Sequence, residues 1–307
     1  MKKVVAYLQG GLGNQLFIYA AARALSLRTG ASLSLDGSYF LDDKVFNRRF
    51  ALGPFKCSDV SGYCIDGCRP LPVSCLVTRF SRRFRYALLR GFTSRVGNYC
   101  CDRRPYKHRR LPECWSGTLT IDGYWQSERY FYEQRKQLVQ DLQLKDDAWL
   151  CADPLAKEIV STAQSIFLHV RSYREVPGNE NGECALRMKG YYANAINYVS
   201  RHIPDGRLFV FSDDIEWAKT RLLPAVIKDC RLPVIFNDGN SSQLRDFSLM
   251  RLCKHGIIAD SSFSWWAGWL GEQQWLERGE SPIRIRVGRR VLNDDFWPER
   301  WLSIEEV

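Results

Sequence analysis

The sequence predicts an α/β fold with parallel sheets, divided over two domains. Three observations lead there. Residues 3–36 read as strand, glycine turn, helix and strand, a βαβ unit. Residues 165–270 alternate short apolar runs with helical segments, and such alternation implies parallel strands joined by crossover helices. The chain has 307 residues, 45% apolar and 25% charged, enough for two cores.

The elements follow in order. KVVAYLQ (residues 3–9) reads as a buried strand. Residues 14–29 read as a helix, because Leu16, Phe17, Ala20, Ala21, Ala24 and Leu27 recur at intervals of three and four and Gly30 closes it. ASLSLD then gives a strand ending on Asp36. Residues 40–115 show no clear period. TLTIDGYW (118–125) reads as a returning strand, and QSERYFYEQRKQLVQDL as one helix. Pro and Asp density at 146–154 sets the boundary between an N-terminal domain, 1–152, and a C-terminal domain, 153–307. Asp153 caps a helix with Pro154 at its first position. Beyond it, strands are expected at SIFLHV, RLFVFSDD, LPVIFND and HGIIADSS, with helices at GYYANAINYVSRHI, IEWAKTRLL, SQLRDFSLMRLCKH and FSWWAGWL.

Composition excludes several classes. No apolar stretch reaches the roughly 18–20 residues of a bilayer crossing, and the opening run MKKVVAYLQGG is too short for a secretory signal. A cytoplasmic protein is expected. The net charge is +10. Residues 79–110 hold eleven Lys or Arg against Asp102 alone, so this segment carries the whole basic excess and should meet something anionic. From Val77 to Gly91, overlapping its start, Val77, Phe80, Phe84, Ala87 and Leu88 form one helical stripe among Arg79, Arg82, Arg83, Arg85 and Arg90. A basic amphipathic helix of this kind suits an anionic membrane surface; packing on the protein's own core is the alternative. There are eleven cysteines. Reduced thiols are expected, with a metal knuckle at Cys57, Cys64, Cys68 and Cys75 as the minor alternative.

Four motifs carry chemistry. YLQGGLGNQLF lacks the third glycine of a dinucleotide fingerprint and the Lys-Ser/Thr pair of a P-loop. Gly11 and Gly13 still allow a ligand close to the backbone at a helix N-terminus, where Asn14 adds a donor and an acceptor. Asn14 serving only as a helix cap is the plain alternative. His169 and Arg171 end a strand, and the arginine fork suits phosphate oxygens. Ser212, Asp213 and Asp214 end the next; their carboxylates suit a guanine edge or ribose hydroxyls, or else Ser212 or Asp213 caps the helix that follows. Ser261 and Ser262 precede a helix and offer a second phosphate seat, while Trp265, Trp266 and Trp269 fall on core spacing. No nucleophile triad and no metal-ligand motif is evident, so a nucleotide diphosphate handled without a metal is the direct reading.

GGLGNQLFIYA, GYWQSERYF, HVR, FSDD and SSFSWWAGWL, in this order, resemble the alpha-1,2-fucosyltransferases of glycosyltransferase family 11. The resemblance implies a GT-B-like fold of two Rossmann-like domains, with the nucleotide bound mainly by the second and the acceptor served by the first. It implies transfer of L-fucose from GDP-fucose to a β-galactoside hydroxyl with inversion, GDP-fucose being a co-substrate and neither a cofactor nor an essential metal being expected. A bacterial surface glycan such as O-antigen, assembled on a lipid, is the implied acceptor, at the inner membrane face.

Carried over, Arg171 and Asn14 are the catalytic candidates, Arg171 acting on the pyrophosphate. His169 and an acid of Ser212–Asp213–Asp214 would meet guanosine. Ser261, Ser262 and Phe263 would line phosphate and base, and Gly11, Gly13 and Asn14 would close over the donor. The family pattern His-x-Arg-Arg-x-Asp-Tyr is broken here by Ser172, Arg174 and Glu175. Glu175 and Asp36 are the candidates for a general base. The competing readings are a GDP-fucose enzyme of alpha-1,6 or O-linked specificity, a nucleic-acid-binding protein using residues 79–110, and a lectin-like module. No nucleic-acid partner is expected on the favoured reading.

Overall fold

The computed structural model describes residues 1–43, 46–57, 62–64, 95–96, 98–102, 106–238, 242–288 and 295–304. The chain forms two compact units, Met1–Lys145 with Asn293–Pro298, and Asp146–Leu292 with Glu299–Val307. This division differs from the expected break at 152/153. Lys145 N–H donates to Pro54 O at 2.9 Å and Lys56 N–H to Gln143 O at 2.9 Å, holding residues 143–145 in the first unit. Phe296 returns to that unit because its ring packs against Phe17, 5.9 Å between centroids, and Tyr106, 5.6 Å.

The first unit contains β1 (Lys3–Tyr7), α1 (Leu12–Thr29), β2 (Ser32–Asp36), α2 (Tyr39–Asp42), β3 (Gly62–Cys64), β4 (Arg95–Val96), β5 (Tyr99–Cys101), β6 (Thr118–Asp122) and α3 (Arg135–Asp141). Its sheet order is β3-β2-β1-β6-β5-β4. The pairs are parallel except β4–β5, a departure from the all-parallel expectation. The small side chains of Ala20, Ala21, Ala22 and Ala24 are fully buried along α1, which lets the helix lie close to its neighbours. Gly30 adopts φ 64° and its N–H bonds Ser26 O, the left-handed cap expected at that position.

Residues 126–142 do not form one helix. They make two 3-10 turns, Glu128–Tyr130 and Tyr132–Gln134, before α3 begins. Between the turns Phe131 takes φ −142° and is fully buried, 6.2 Å from the Phe17 ring. Burial of this aromatic overrides the helical periodicity. Asp141 then ties α3 to α1, accepting from Tyr19 Oη at 2.7 Å, Arg23 Nε at 2.8 Å and Gln137 Nε2 at 2.8 Å.

The second unit contains α4 (Ala148–Ala152), α5 (Pro154–Ser161), β7 (Ser165–Val170), α6 (Glu183–Arg187), α7 (Lys189–His202), β8 (Arg207–Ser212), α8 (Ile215–Trp217), α9 (Leu223–Val226), β9 (Val234–Phe236), α10 (Gln243–Leu252), β10 (His255–Ile258), α11 (Ser262–Glu277), β11 (Arg284–Val287) and β12 (Leu302–Ile304). The sheet order is β12-β11-β10-β7-β8-β9, parallel throughout. β11 and β12 carry too few apolar positions to stand out in the sequence. β7 is buried at all six positions, as a central parallel strand requires. Asp153 accepts from Leu155 N–H and Ala156 N–H and so caps α5, with Pro154 following. The segment expected as one helix at 215–223 passes through a π turn at Ala218–Leu222, because Pro224 cannot donate to the preceding turn and its ring widens the backbone there. Trp265, Trp266 and Trp269 are fully buried, as their spacing predicts.

The stripe at residues 77–91 lies outside the described residues, as do Cys68, Cys75 and the side chain of Cys64. Cys57 is buried, its Sγ 4.0 Å from Leu52 O. No helix among the described residues is long and apolar enough to cross a membrane.

His255 is a pH-sensitive group of the second core. Its Nδ1 accepts from Ile283 N–H at 3.0 Å, which leaves Nε2 to donate to Gln164 Oε1 at 2.8 Å. Burial, helped by Arg284 and Lys254, lowers its pKa from 6.5 to about 4. Between those values the unfolded chain binds the proton and the folded one does not, so stability falls as pH drops through this window. Denaturant unfolding from pH 7 to 4 should show that slope, and His255→Gln should reduce it.

Candidate functional site

The second sheet runs outward from β7 through β8 to β9, then returns to β10 on the other side of β7. Ligands of open α/β sheets bind at such a reversal, outside the carboxyl ends of the strands. The last residues of β7 and β8 carry His169 and Ser212, the loops leaving β7, β8 and β10 carry Arg171, Asp213, Asp214 and Ser261, and the first turn of α11 carries Ser262 and Phe263. Sequence spacing therefore placed all eight at the carboxyl end of one sheet.

Asp213 organises them. One carboxylate oxygen accepts from Ser172 N–H at 2.7 Å. The other accepts from Ser172 Oγ at 2.7 Å and Tyr173 N–H at 3.2 Å, and pairs with the Arg171 guanidinium. Glu175 binds the same guanidinium from its own loop, and the Tyr173 ring lies 4.7 Å from it. Arg171 is thus held between two carboxylates and an aromatic face.

Asp214 rather than Ser212 or Asp213 caps α8, accepting from Trp217 N–H at 3.0 Å. It also pairs with Arg174, while Ser212 Oγ accepts from Asp214 N–H at 3.1 Å. Asp214 therefore fills the capping role and Asp213 braces the β7 loop.

His169 is buried, its ring 5.6 Å from that of Phe263. Its Nδ1 is buried and hydrogen-bonds to nothing among the described residues. Desolvation lowers its pKa to about 4 against the opposing pull of Asp213, so a neutral imidazole sits beneath Arg171 at physiological pH. Ser261 caps α11, its Oγ accepting from Phe263 N–H at 3.3 Å. The remaining N–H groups of that first turn form a positive end suited to an anion.

Sequence reasoning missed three contributors. Asn179 donates to Ser172 O and Tyr173 O, both at 2.9 Å, and accepts from Cys184 N–H at 2.9 Å, closing the loop on itself. Tyr173, at φ 56°, reaches Asp260 O at 2.5 Å and ties the β7 loop to the β10 loop. Tyr192 is fully buried, its hydroxyl beside the Arg171 main chain. The nearest sequence signals were the Tyr pair in GYYAN and the Gly-Asn run after Pro177; neither was specific.

The other predicted residues belong to the first unit. Gly11 precedes α1 with no side-chain cap, and Gly13 is buried in the first turn. Asn14 is not a helix cap. It lies inside α1, and its Oδ1 accepts from Gln126 Nε2 at 2.9 Å. Asp36 is buried at the end of β2, where it accepts from Ser38 N–H at 2.9 Å. Among the described residues no three His, Cys, Asp or Glu side chains are grouped to hold a metal ion.

The family model for glycosyl transferase family 11 matches residues 84–276, more than half the chain and all of the β7, β8 and β10 loops. The chain belongs to glycosyl transferase family 11. An Escherichia coli protein described as an alpha-1,2-colitosyltransferase is 28% identical over an alignment of 330 residues that covers all of both chains. The O-antigen biosynthesis glycosyltransferase WbnK of Escherichia coli is 30% identical over 280 residues, covering 86% of this chain and 88% of that protein. Among solved structures, a mutant of Arabidopsis thaliana FUT1 in complex with GDP superposes with a TM-score of 0.51 at 13% identity, over 92% of this chain and 70% of the other. That likeness concerns the fold and agrees with a GT-B-like pair of Rossmann-like units.

In this family member the motif departure becomes a rearranged charge set. Ser172, in place of a second arginine, is fully buried and bonds Asp213. Arg174 replaces the acid and pairs with Asp214, and Glu175 replaces the tyrosine and pairs with Arg171. Replacing Asp213 by Ala would take the acceptor from two N–H groups and a hydroxyl, and one of its two carboxylates from the Arg171 guanidinium. Asp213→Ala should cost about 1–3 kcal/mol of stability, measured by denaturant unfolding, whereas removing the Glu175 side chain, which is 40% exposed, in Glu175→Ala should leave the midpoint nearly unchanged.

Proposed function

We propose that this glycosyltransferase moves L-fucose from GDP-fucose to the 2-hydroxyl of a terminal β-galactoside on a bacterial surface glycan, with inversion and without an essential metal. The observation that carries this reading is the pairing of the braced Arg171 fork with the capped N-terminus of α11, two anion-binding features on adjacent strand ends. Together they suit a diphosphate. The neutral His169 and the Phe263 ring suit a base beside it. Family membership and the two Escherichia coli relatives support a sugar transferase acting in O-antigen assembly.

As the glycosidic bond to GDP lengthens, positive charge develops on the sugar and negative charge on the diphosphate. Arg171 stabilises that departing charge, and the first-turn N–H groups of α11 assist. Binding of the diphosphate exchanges Glu175 for phosphate oxygens on the guanidinium, while Asp213 keeps the fork aimed. No metal enters these steps.

A second donor is worth testing, because the full-length relative is described as a colitosyltransferase and colitose is the 3-deoxy analogue of fucose. The deciding experiment is incubation with GDP-fucose and GDP-colitose against a panel of β-galactosides, followed by linkage analysis. A 2-linked fucosyl product supports the proposal; a colitosyl product alone changes the donor; an alpha-1,6 product or none overturns it.

Arg171→Ala should lower kcat about 100- to 1,000-fold with the fold intact, and Arg171→Lys should rescue little, because a point charge does not reproduce the fork. Glu175→Gln should strengthen GDP binding severalfold in a calorimetric titration, since it removes the carboxylate that competes with phosphate. A chelator should leave most of the activity; a manganese requirement would contradict the mechanism.

A further inference from the structure

The first sheet has its own reversal, between β1 and β6, and two loops leave it there. The β1–α1 loop carries Gly10 and Asn14. The loop after β6 carries Gln126, a buried residue in a motif otherwise without an assigned role. The Gln126 amide donates to Asn14 Oδ1 at 2.9 Å across 112 positions of sequence. Asn14 Nδ2 then has no hydrogen-bond partner among the described residues, and Asn14 itself is half-buried.

Three further features fix this arrangement. Gly10 takes φ 75°, and a Cβ there would lie 2.6 Å from Asn14 Nδ2, so the glycine makes room for the amide. Trp125, just before Gln126, sits at φ 50°, a conformation that costs a bulky residue free energy and persists only where its surroundings impose it. Those surroundings are visible. Asp102 accepts from Trp125 N–H at 3.3 Å, and a Cβ on Gly123 would meet Asp102 Cβ at 2.2 Å. Gln126 Oε1 is buried and, among the described residues, unpartnered. A strained loop thus presents one donor to Asn14 and leaves an acceptor unsatisfied beside it.

We propose that Gln126 is a positioning residue for Asn14: its amide N–H fixes the Asn14 side chain with Oδ1 inward, so that Nδ2 is offered as a donor to a sugar oxygen. The inference rests on the function proposed above and adds a residue to it. Chemically, a donor to a sugar oxygen must be aimed before the substrate arrives, and a freely rotating amide would offer oxygen as often as nitrogen.

The test compares wild type, Asn14→Ala, Gln126→Ala, Gln126→Glu and the Asn14→Ala/Gln126→Ala double variant, with kcat and KM for the donor and the thermal shift on adding GDP. Gln126→Ala should lose about 100-fold in kcat with the GDP shift and donor KM retained. Gln126→Glu fills the same space and still bonds Asn14, but as an acceptor only. Asn14 must then turn Nδ2 inward and Oδ1 outward, so this variant should be as slow as Gln126→Ala. The double variant should be no slower than Asn14→Ala, because the two act as a unit. Wild-type kcat in Gln126→Glu overturns the inference, as do losses that multiply in the double variant; if Gln126→Ala does not fold, the Glu variant decides alone. A wild-type protein that turns over neither GDP-sugar removes the proposed function and this inference together, whereas normal wild-type turnover with an unimpaired Gln126→Glu removes the inference alone.

Discussion

The Asp213 carboxylate is the constraint on which the second unit's site depends. A loop leaving the end of a fully buried strand exposes N–H groups that need acceptors. Asp213, arriving from the neighbouring strand, accepts from two main-chain N–H groups and one hydroxyl, and still pairs with Arg171. Without it the guanidinium would be a long side chain on a free loop. With it, the charge stands at a fixed place above the sheet, and the entropy of ordering the arginine is met during folding and not during binding.

This arrangement explains how the chain tolerates its departure from the family pattern. The common motif places a second arginine, an acid and a tyrosine where this protein has Ser172, Arg174 and Glu175. The small buried serine lets its hydroxyl and N–H both reach Asp213. Arg174 and Asp214 then pair with each other, and Glu175 pairs with Arg171. Charge is conserved across the loop while the partners are exchanged. The first arginine keeps its place in this rearrangement because it is braced from another strand, whereas its neighbours are set by the loop itself.

The two units solve the same problem with different chemistry. At the second sheet's reversal the groups are ionic, suited to a diphosphate. At the first they are amides and backbone held by glycine, with Gln126 and Asn14 bonded to one another. Neutral donors and acceptors fit hydroxyls and ring oxygens better than a charge does, because sugar recognition by an unpaired charge would carry a larger desolvation cost.

The sequence by itself determined the parallel α/β architecture, because the period of apolar residues reports directly on which faces are buried. It also located the predicted residues of the second unit, since the carboxyl ends of parallel strands are where functional side chains collect. It singled out Arg171 and Asn14 as candidates, because they stand in motifs with recognisable spacing. Only the tertiary structure decided what these residues touch. Asp213 as a brace, Asp214 as the cap, Asn179 closing its loop and Gln126 meeting Asn14 all involve partners chosen by how the elements pack. No local pattern encodes a bond across 112 residues. The same reason broke the expected helix at 126–142: its periodicity was sound, but Phe131 gained more by entering the core beside Phe17 than the backbone lost by leaving the helix.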